Sequence, residues 1–315
     1  MKSINYEKKR SIRGAFGEEL VALGQANSNI VALDADLSGS TQTSLFAKEF
    51  PERFFDVGIA EQDLITTALG LSLTGKIPFA ATFAVFATGR AYDQIRNSIC
   101  YQKANVKIVG AHGGITVGED GASHQALEDI SLMRSLPNMT VIVPADYNQM
   151  RQAVKFAANY NGPVYIRSSR INVPDIYDED YKLELNKAVI LKEGKDISIF
   201  SNGDIFSEVI KASEMLAEKG IDAEIINVPF VKPLDTDTII KSINKTGIGI
   251  TIENHSVIGG LGSAVCECVS EISPHKVVRF GVNDTFGQSG TPKELLKYYE
   301  LDTESITKRI VEILK

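Results

Sequence analysis

No apolar run in this 315-residue chain approaches the roughly 18 residues that a membrane-spanning helix needs. The polar stretch from Met1 to Arg13 has no signal-peptide apolar region. Basic charge is not in excess. The net charge is −7, and the densest basic run, Lys8-Lys9-Arg10, is short, so a nucleic-acid footprint is not expected. Cysteine is scarce: Cys100, Cys266 and Cys268 are the only three. So few thiols fit a reducing compartment better than a disulfide framework, and a cytoplasmic location is expected. Cys266 and Cys268 lack a second ligand pair, which argues against zinc. There is no low-complexity tract, no repeat of fixed period, no Walker motif and no Gly-x-Gly-x-x-Gly after a strand.

What is present is an alternation. With 43% apolar residues, the chain can bury ordinary cores, and its length suggests two domains. Short apolar strands are expected at 29–34, where the strand runs into a polar turn over 36–43, and at 53–57, 77–82, 106–111, 140–143 and 164–167, with helices between them. The rhythm breaks at 172–186, which is polar and acidic and carries Pro174, Asp175, Asp178, Glu179, Asp180 and Glu184. It resumes with strands at 197–201, 223–228, 249–253 and 276–280. Short apolar strands between helices mean parallel sheets covered on both faces. The fold class is therefore α/β, with a first domain over 1–172, a linker over 173–186 and a smaller second domain over 187–315.

Four clusters could carry chemistry. In Asp56-Val57-Gly58-Ile59-Ala60-Glu61-Gln62, a strand runs into a helix, so Glu61 stands in a first helical turn at the sheet edge where such folds bind ligands. It either complements the helix dipole or exchanges a proton with a ligand. In the loop Gly118-Glu119-Asp120-Gly121-Ala122-Ser123-His124-Gln125, with His112 just before it, the histidines either serve a site or decorate turns. His255 and His275 have no such company. Phe83 and Phe86, three apart, are expected on one face of a helix over 85–102, either as core or as a platform for a flat heterocycle. Arg13, Arg167 and Arg170 lie at element ends, where a guanidinium is either solvated or binds phosphate. Gly203-Asp204-Ile205 with Asn227 only loosely imitates a magnesium–diphosphate motif. It lacks the oxygen ligands such a site needs, so no metal site is expected on this chain.

Taken together, these stretches form a known set. With Thr82-Phe83-Ala84-Val85-Phe86, Ser169-Arg170, Glu253-Asn254-His255, Ile258-Gly259-Gly260-Leu261-Gly262-Ser263 and Phe286-Gly287-Gln288-Ser289-Gly290, the chain resembles the C-terminal half of transketolase over essentially its whole length. The resemblance implies a parallel-sheet, thiamin-pyrimidine-binding domain followed by the family's C-terminal α/β domain. It is similar to the small subunit of a split, two-chain enzyme. The cofactor implied is thiamin diphosphate, held here on its pyrimidine side, with Mg2+ and the diphosphate on an N-terminal partner chain. A heterotetramer formed through self-association of such pairs is implied as well.

The same resemblance implies residue roles. Glu61 would hydrogen-bond N1′ of the aminopyrimidine and share a proton with it. Phe83 and Phe86 would pack on that ring, with Asp36 and Ile59 also beside the cofactor. His124 would act on a substrate hydroxyl or carbonyl proton, and Asp120 would read a donor hydroxyl. Arg13, Ser40, His112 and Arg170 would bind a sugar phosphate, with Arg167 as an alternative. The family's next aromatic would fall at Gly89, a departure. The implied reaction is transfer of a two-carbon ketol unit from a ketose phosphate to an aldose phosphate. Rivals are the same half of a 1-deoxyxylulose-5-phosphate synthase, the β subunit of a 2-oxoacid dehydrogenase, and a non-catalytic module that kept the fold.

Overall fold

The computed structural model describes residues 4–315. The first part of the chain contributes β1 (Lys9–Ser11), β2 (Ile30–Asp34), β3 (Phe54–Asp56), β4 (Ile77–Phe83), β5 (Lys107–Ala111), β6 (Thr140–Ile142), β7 (Val164–Arg167) and β8 (Asn172–Pro174). Its helices are α1 (Ile12–Ala26), α2 (Ser38–Thr41), α3 (Ser44–Glu49), α4 (Glu61–Leu73), α5 (Tyr92–Gln94), α6 (Asp129–Ser135) and α7 (Tyr147–Asn159). The rest adds β9 (Val189–Lys192), β10 (Ile197–Ser201), β11 (Ala223–Asn227), β12 (Phe230–Lys232), β13 (Ile248–Ser256) and β14 (Lys276–Val282). With these run α8 (Phe206–Glu218), α9 (Thr236–Thr246), α10 (Leu261–Ile272), α11 (Pro292–Tyr298) and α12 (Thr303–Ile313).

Two large sheets result, each a layer between helices, beside a two-stranded β1-β8 pair. The first has the order β12-β6-β7-β5-β4-β2-β3 and is parallel except for β12. Strand periodicity explains its two cores. Ile30 and Ala32 pack with Phe16 and Leu20 of α1 and Met150 of α7, whereas Val31 and Leu33 pack with Leu64 and Ile65 of α4. The second sheet has the order β14-β13-β10-β11-β9, with β9 antiparallel. Ile197 and Ile199 face α8 and α12, and Phe200 faces α9 and α10. The expected α/β class with parallel sheets covered on both faces is what the chain adopts.

Three local expectations give way. Phe83 closes β4 instead of opening a helix, so the shared helix face is not what brings it to Phe86. The helix expected over 85–102 is interrupted: π-helical turns at Phe86–Arg90 and Ile95–Cys100 flank α5. The polar turn over 36–43 contains α2 and a left-handed Gln42.

The acidic stretch after β7 is held at several points. β8 pairs antiparallel with β1. Asp146, the N-cap of α7, accepts from the amides of Gln149, Ile176 and Tyr177 at 2.7 Å each. Asn227 accepts from Gln149 at 2.8 Å and from Tyr177 at 3.1 Å, which ties this stretch and α7 to the second sheet. Replacing Asp146 by Ala strands three inward-facing donors. It should cost about 2–3 kcal/mol, at the upper end for a lost buried partner. Urea unfolding checks this, and an unchanged first transition would contradict it.

Candidate active site

Parallel strands all deliver their carboxyl ends to one edge, and the candidate residues lie just beyond those ends. Behind the loop after β2, the buried Asp34 accepts from the Leu37 amide and from the hydroxyls of Thr41 and Thr43 at 2.6, 2.6 and 2.8 Å. Burial raises its pKa, against those bonds. Asp56, at the end of β3, accepts from the amides of Asp36 and Gly58 at 3.0 and 2.9 Å and so joins the two neighbouring loops. Asp36 itself is exposed, and Ile59 is 76% exposed, a large apolar side chain facing outward.

Glu61 opens α4 behind Ala60, which offers no side-chain cap, and is only 1% exposed. Its carboxylate has a partner the sequence reading missed. Arg90 Nη1 lies 2.9 Å from both oxygens. The same guanidinium sits 4.9 Å from the centre of the Phe86 ring. Phe86 and Arg90, four apart, were the available signal.

The Phe83 and Phe86 rings are nearly parallel, 14° apart, with centroids at 6.0 Å. The His124 ring stands edge-on to both, at 6.1 and 5.5 Å. Its Nδ1 is 2.9 Å from Ser123 Oγ. His112, next after β5, is 4.1 Å from the Phe83 ring and adopts a left-handed φ of 59°. That conformation is unusual for a side chain other than glycine and belongs to sites that the surroundings hold in place. His112 is buried, and its Nδ1 has no hydrogen-bond partner. Burial first, then the charges of Arg13 and Arg170, push its pKa down to about 4 against the pull of Asp120.

Two arginines therefore converge on His112. Arg13 donates to the Ser40 carbonyl at 3.0 Å, and burial together with Arg170 lowers its pKa. Arg170 donates to the Val117 carbonyl at 2.5 Å and pairs with Asp120 at 3.2 Å. Two like charges near one another, with an imidazole that they and burial keep neutral, suit an anion. Glu61, Phe83, Phe86, His112, His124, Asp120, Arg13, Ser40 and Arg170 thus share one edge, with Asp36 and Ile59 on its outer surface.

Arg167 does not join them. It is buried, with Nε 2.8 Å from Asp129 Oδ2, and Tyr165 donates to the same oxygen at 2.7 Å. Its guanidinium is committed inside the sheet, which corrects its candidacy as a phosphate ligand. His255 and His275 bond neighbouring backbone carbonyls, as structural histidines do.

Residues 8–175 match the family model of the transketolase pyrimidine-binding domain, and residues 186–306 match that of the transketolase C-terminal domain. The chain belongs to the transketolase family. It is 51% identical over 309 residues to a putative transketolase C-terminal section of Methanocaldococcus jannaschii, covering 97% of each chain. A solved structure described as a split-gene transketolase, inactive β4 tetramer, matches with TM-score 0.89 and 50% identity, over 98% of this chain and 99% of that one. The 1-deoxy-D-xylulose-5-phosphate synthase of Desulforudis audaxviator is 38% identical over 302 residues, which are 95% of this chain and 47% of that protein. The chain thus spans the C-terminal half of the transketolase fold and about half the length of that synthase.

The His112 geometry has a measurable consequence. Its folded pKa lies below the ordinary 6.5, so between pH 6.5 and about 4 the folded protein binds fewer protons than the unfolded chain. Stability therefore falls as pH drops through that window. An NMR titration should find this imidazole still neutral at about pH 5.5, below the usual histidine value. His112→Asn should make the acid-side loss of stability shallower by about one proton. An imidazole already charged at that pH would overturn the assignment.

Proposed function

We propose that this chain is the C-terminal subunit of a thiamin-diphosphate-dependent transketolase, active only with a diphosphate-binding partner chain. It would transfer a two-carbon ketol unit from a ketose phosphate to an aldose phosphate in the cytoplasm. The observation that carries the proposal is the buried Glu61 carboxylate beside the parallel Phe83 and Phe86 rings, with the Arg13–His112–Arg170 cluster against the same aromatic wall. A flat apolar surface next to one buried carboxylate fits a flat ring that carries a basic nitrogen. Gly89 leaves open space where the family has an aromatic, so that flank is unfilled by this chain.

Thiamin diphosphate, when bound, supplies the reactive carbon that cleaves and remakes the carbon–carbon bond. This chain's residues orient and tune. Glu61 would share a proton with the pyrimidine nitrogen, and Arg90, which donates to both of its oxygens in this structure, would yield one of them to the ring. Phe83 and Phe86 stack on the ring and exclude water. His124, edge-on to the rings, moves a proton at the sugar's hydroxyl or carbonyl oxygen. Asp120 accepts a donor hydroxyl. Arg13, Arg170, Ser40 and His112 bind the phosphate, with His112 donating as a neutral imidazole.

The metal and diphosphate belong on the partner chain. Asp204 bonds Thr116 and Asn254, and Asn227 bonds Gln149 and Tyr177, so the residues that imitate such a motif are committed to structure. The tetramer of a 50%-identical relative supports self-association, and we propose a heterotetramer of two pairs. The burial of Arg167 favours ketol transfer over the synthase reading, which leans on that arginine.

Co-purification with a candidate diphosphate-binding chain, then a ketol-transfer assay with thiamin diphosphate and magnesium, tests the proposal. Activity should require both chains. Micromolar, magnesium-dependent cofactor binding by this chain alone would sink the split reading. Within the pair, Glu61→Gln should nearly abolish transfer while calorimetry still finds the cofactor bound. Glu61→Asp should lose about a hundredfold, since a displacement on the order of 1 Å has that cost. If Glu61 only complements the helix dipole, both variants keep the rate and lose a few tenths of a kcal/mol of stability.

A further inference from the structure

The loop at 114–121 carries three partners of Arg170: the Val117 carbonyl, the Asp120 carboxylate and, at 3.9 Å, the Glu119 carboxylate. What holds this loop comes largely from the other domain. Asn254, on β13, accepts from the Ile115 amide at 2.8 Å. Its amide group donates to Thr116 Oγ1 at 3.0 Å and to Asp204 at 3.2 and 3.3 Å. Thr116 Oγ1 in turn donates to Asp204 at 2.5 Å, closing the cycle. Asn254, Asp204 and Thr116 are each at most 3% exposed.

The fit leaves no slack. Gly114 has φ of 83°, and a Cβ there would stand 2.4 Å from the Asn254 amide carbon. Such a closed buried network specifies one arrangement, because each missing member leaves a buried polar group unsatisfied. Gln125 adds a second tie. Its amide reaches the carbonyls of Ile115, Gly118 and, across the domain boundary, Gln288 at 3.3, 3.1 and 2.9 Å.

We infer that Asn254 and Asp204 of the second domain are positioning residues for the sugar-phosphate site: they set where Val117 and Asp120 stand and, through them, the Arg170 guanidinium. The inference rests on the proposed role of Arg170 and assigns the second domain a part in substrate binding. Neither residue touches substrate.

Thr116→Val removes the hydroxyl that joins Asp204 to Asn254 at nearly constant volume. Asp204→Asn, also volume-conserving, is the second variant. In hydrogen exchange on this chain, amides of residues 114–121 should exchange at least about tenfold faster in either variant, with α1 and α7 unchanged. In the two-chain complex, KM for a phosphorylated sugar should rise about five- to tenfold with kcat within about twofold, since the binding lost is shared by ground and transition states. Arg170→Ala should set the upper bound of that rise. Ser198→Ala, which removes a buried hydroxyl between β10 and α9, should move neither readout. Unchanged loop exchange would overturn the inference, and so would faster exchange with unchanged KM. Should the wild-type pair show no ketol transfer, the functional reading would fall, and loop exchange would still decide the clamp.

Discussion

A parallel sheet with helices on both faces leaves few places where side chains from several strands can reach solvent together. One is the edge where the strands end. In the first sheet that constraint orders the rest of the site. β2, β3, β4, β5 and β7 all run the same way, so the residues after Asp34, Asp56, Phe83, Ala111 and Arg167 collect along one line. Three of these loops are secured by a charged side chain: the buried Asp34 beneath the first, the exposed Asp56 between two, and the half-exposed Arg90 against Glu61. These side chains hold geometry at the edge where Phe83, Phe86, His112, His124 and Arg170 gather.

The electrostatics of this line are uneven by design of the fold. At one end Glu61 is buried beside a single half-exposed arginine. At the other, Arg13 and Arg170 crowd a histidine that burial keeps neutral. A ligand with a basic flat ring at one end and an anionic group at the other would meet complementary surroundings at both, with the two phenylalanine rings between.

Much of this was legible in the sequence, for physical reasons. β7 and β10 fall where short apolar runs had placed them, because a strand buried on both faces must be apolar throughout. Three short strands were not legible: β1, β8 and β12 owe their existence to distant partners, not to any local pattern. The π turns escaped because one extra residue per turn leaves apolar spacing almost helical over so short a span. Residue type announced that arginines would matter but could not say which would be buried. Arg167 lies inside the sheet on Asp129, while Arg170, three positions on, stands at the site. The left-handed backbone of His112 and the hold of Arg90 on Glu61 needed coordinates. The role of Asn254 did too, since nothing local links it to a loop about 140 residues earlier.

β12 lies beyond the acidic stretch in sequence, yet it completes the first sheet by pairing with β6. Without it, β6 would present a bare row of amides and carbonyls, a template on which other chains add strands. A cut between the two sheets would therefore release two sticky fragments, not two working modules. The two sheets therefore have to be inherited as one piece.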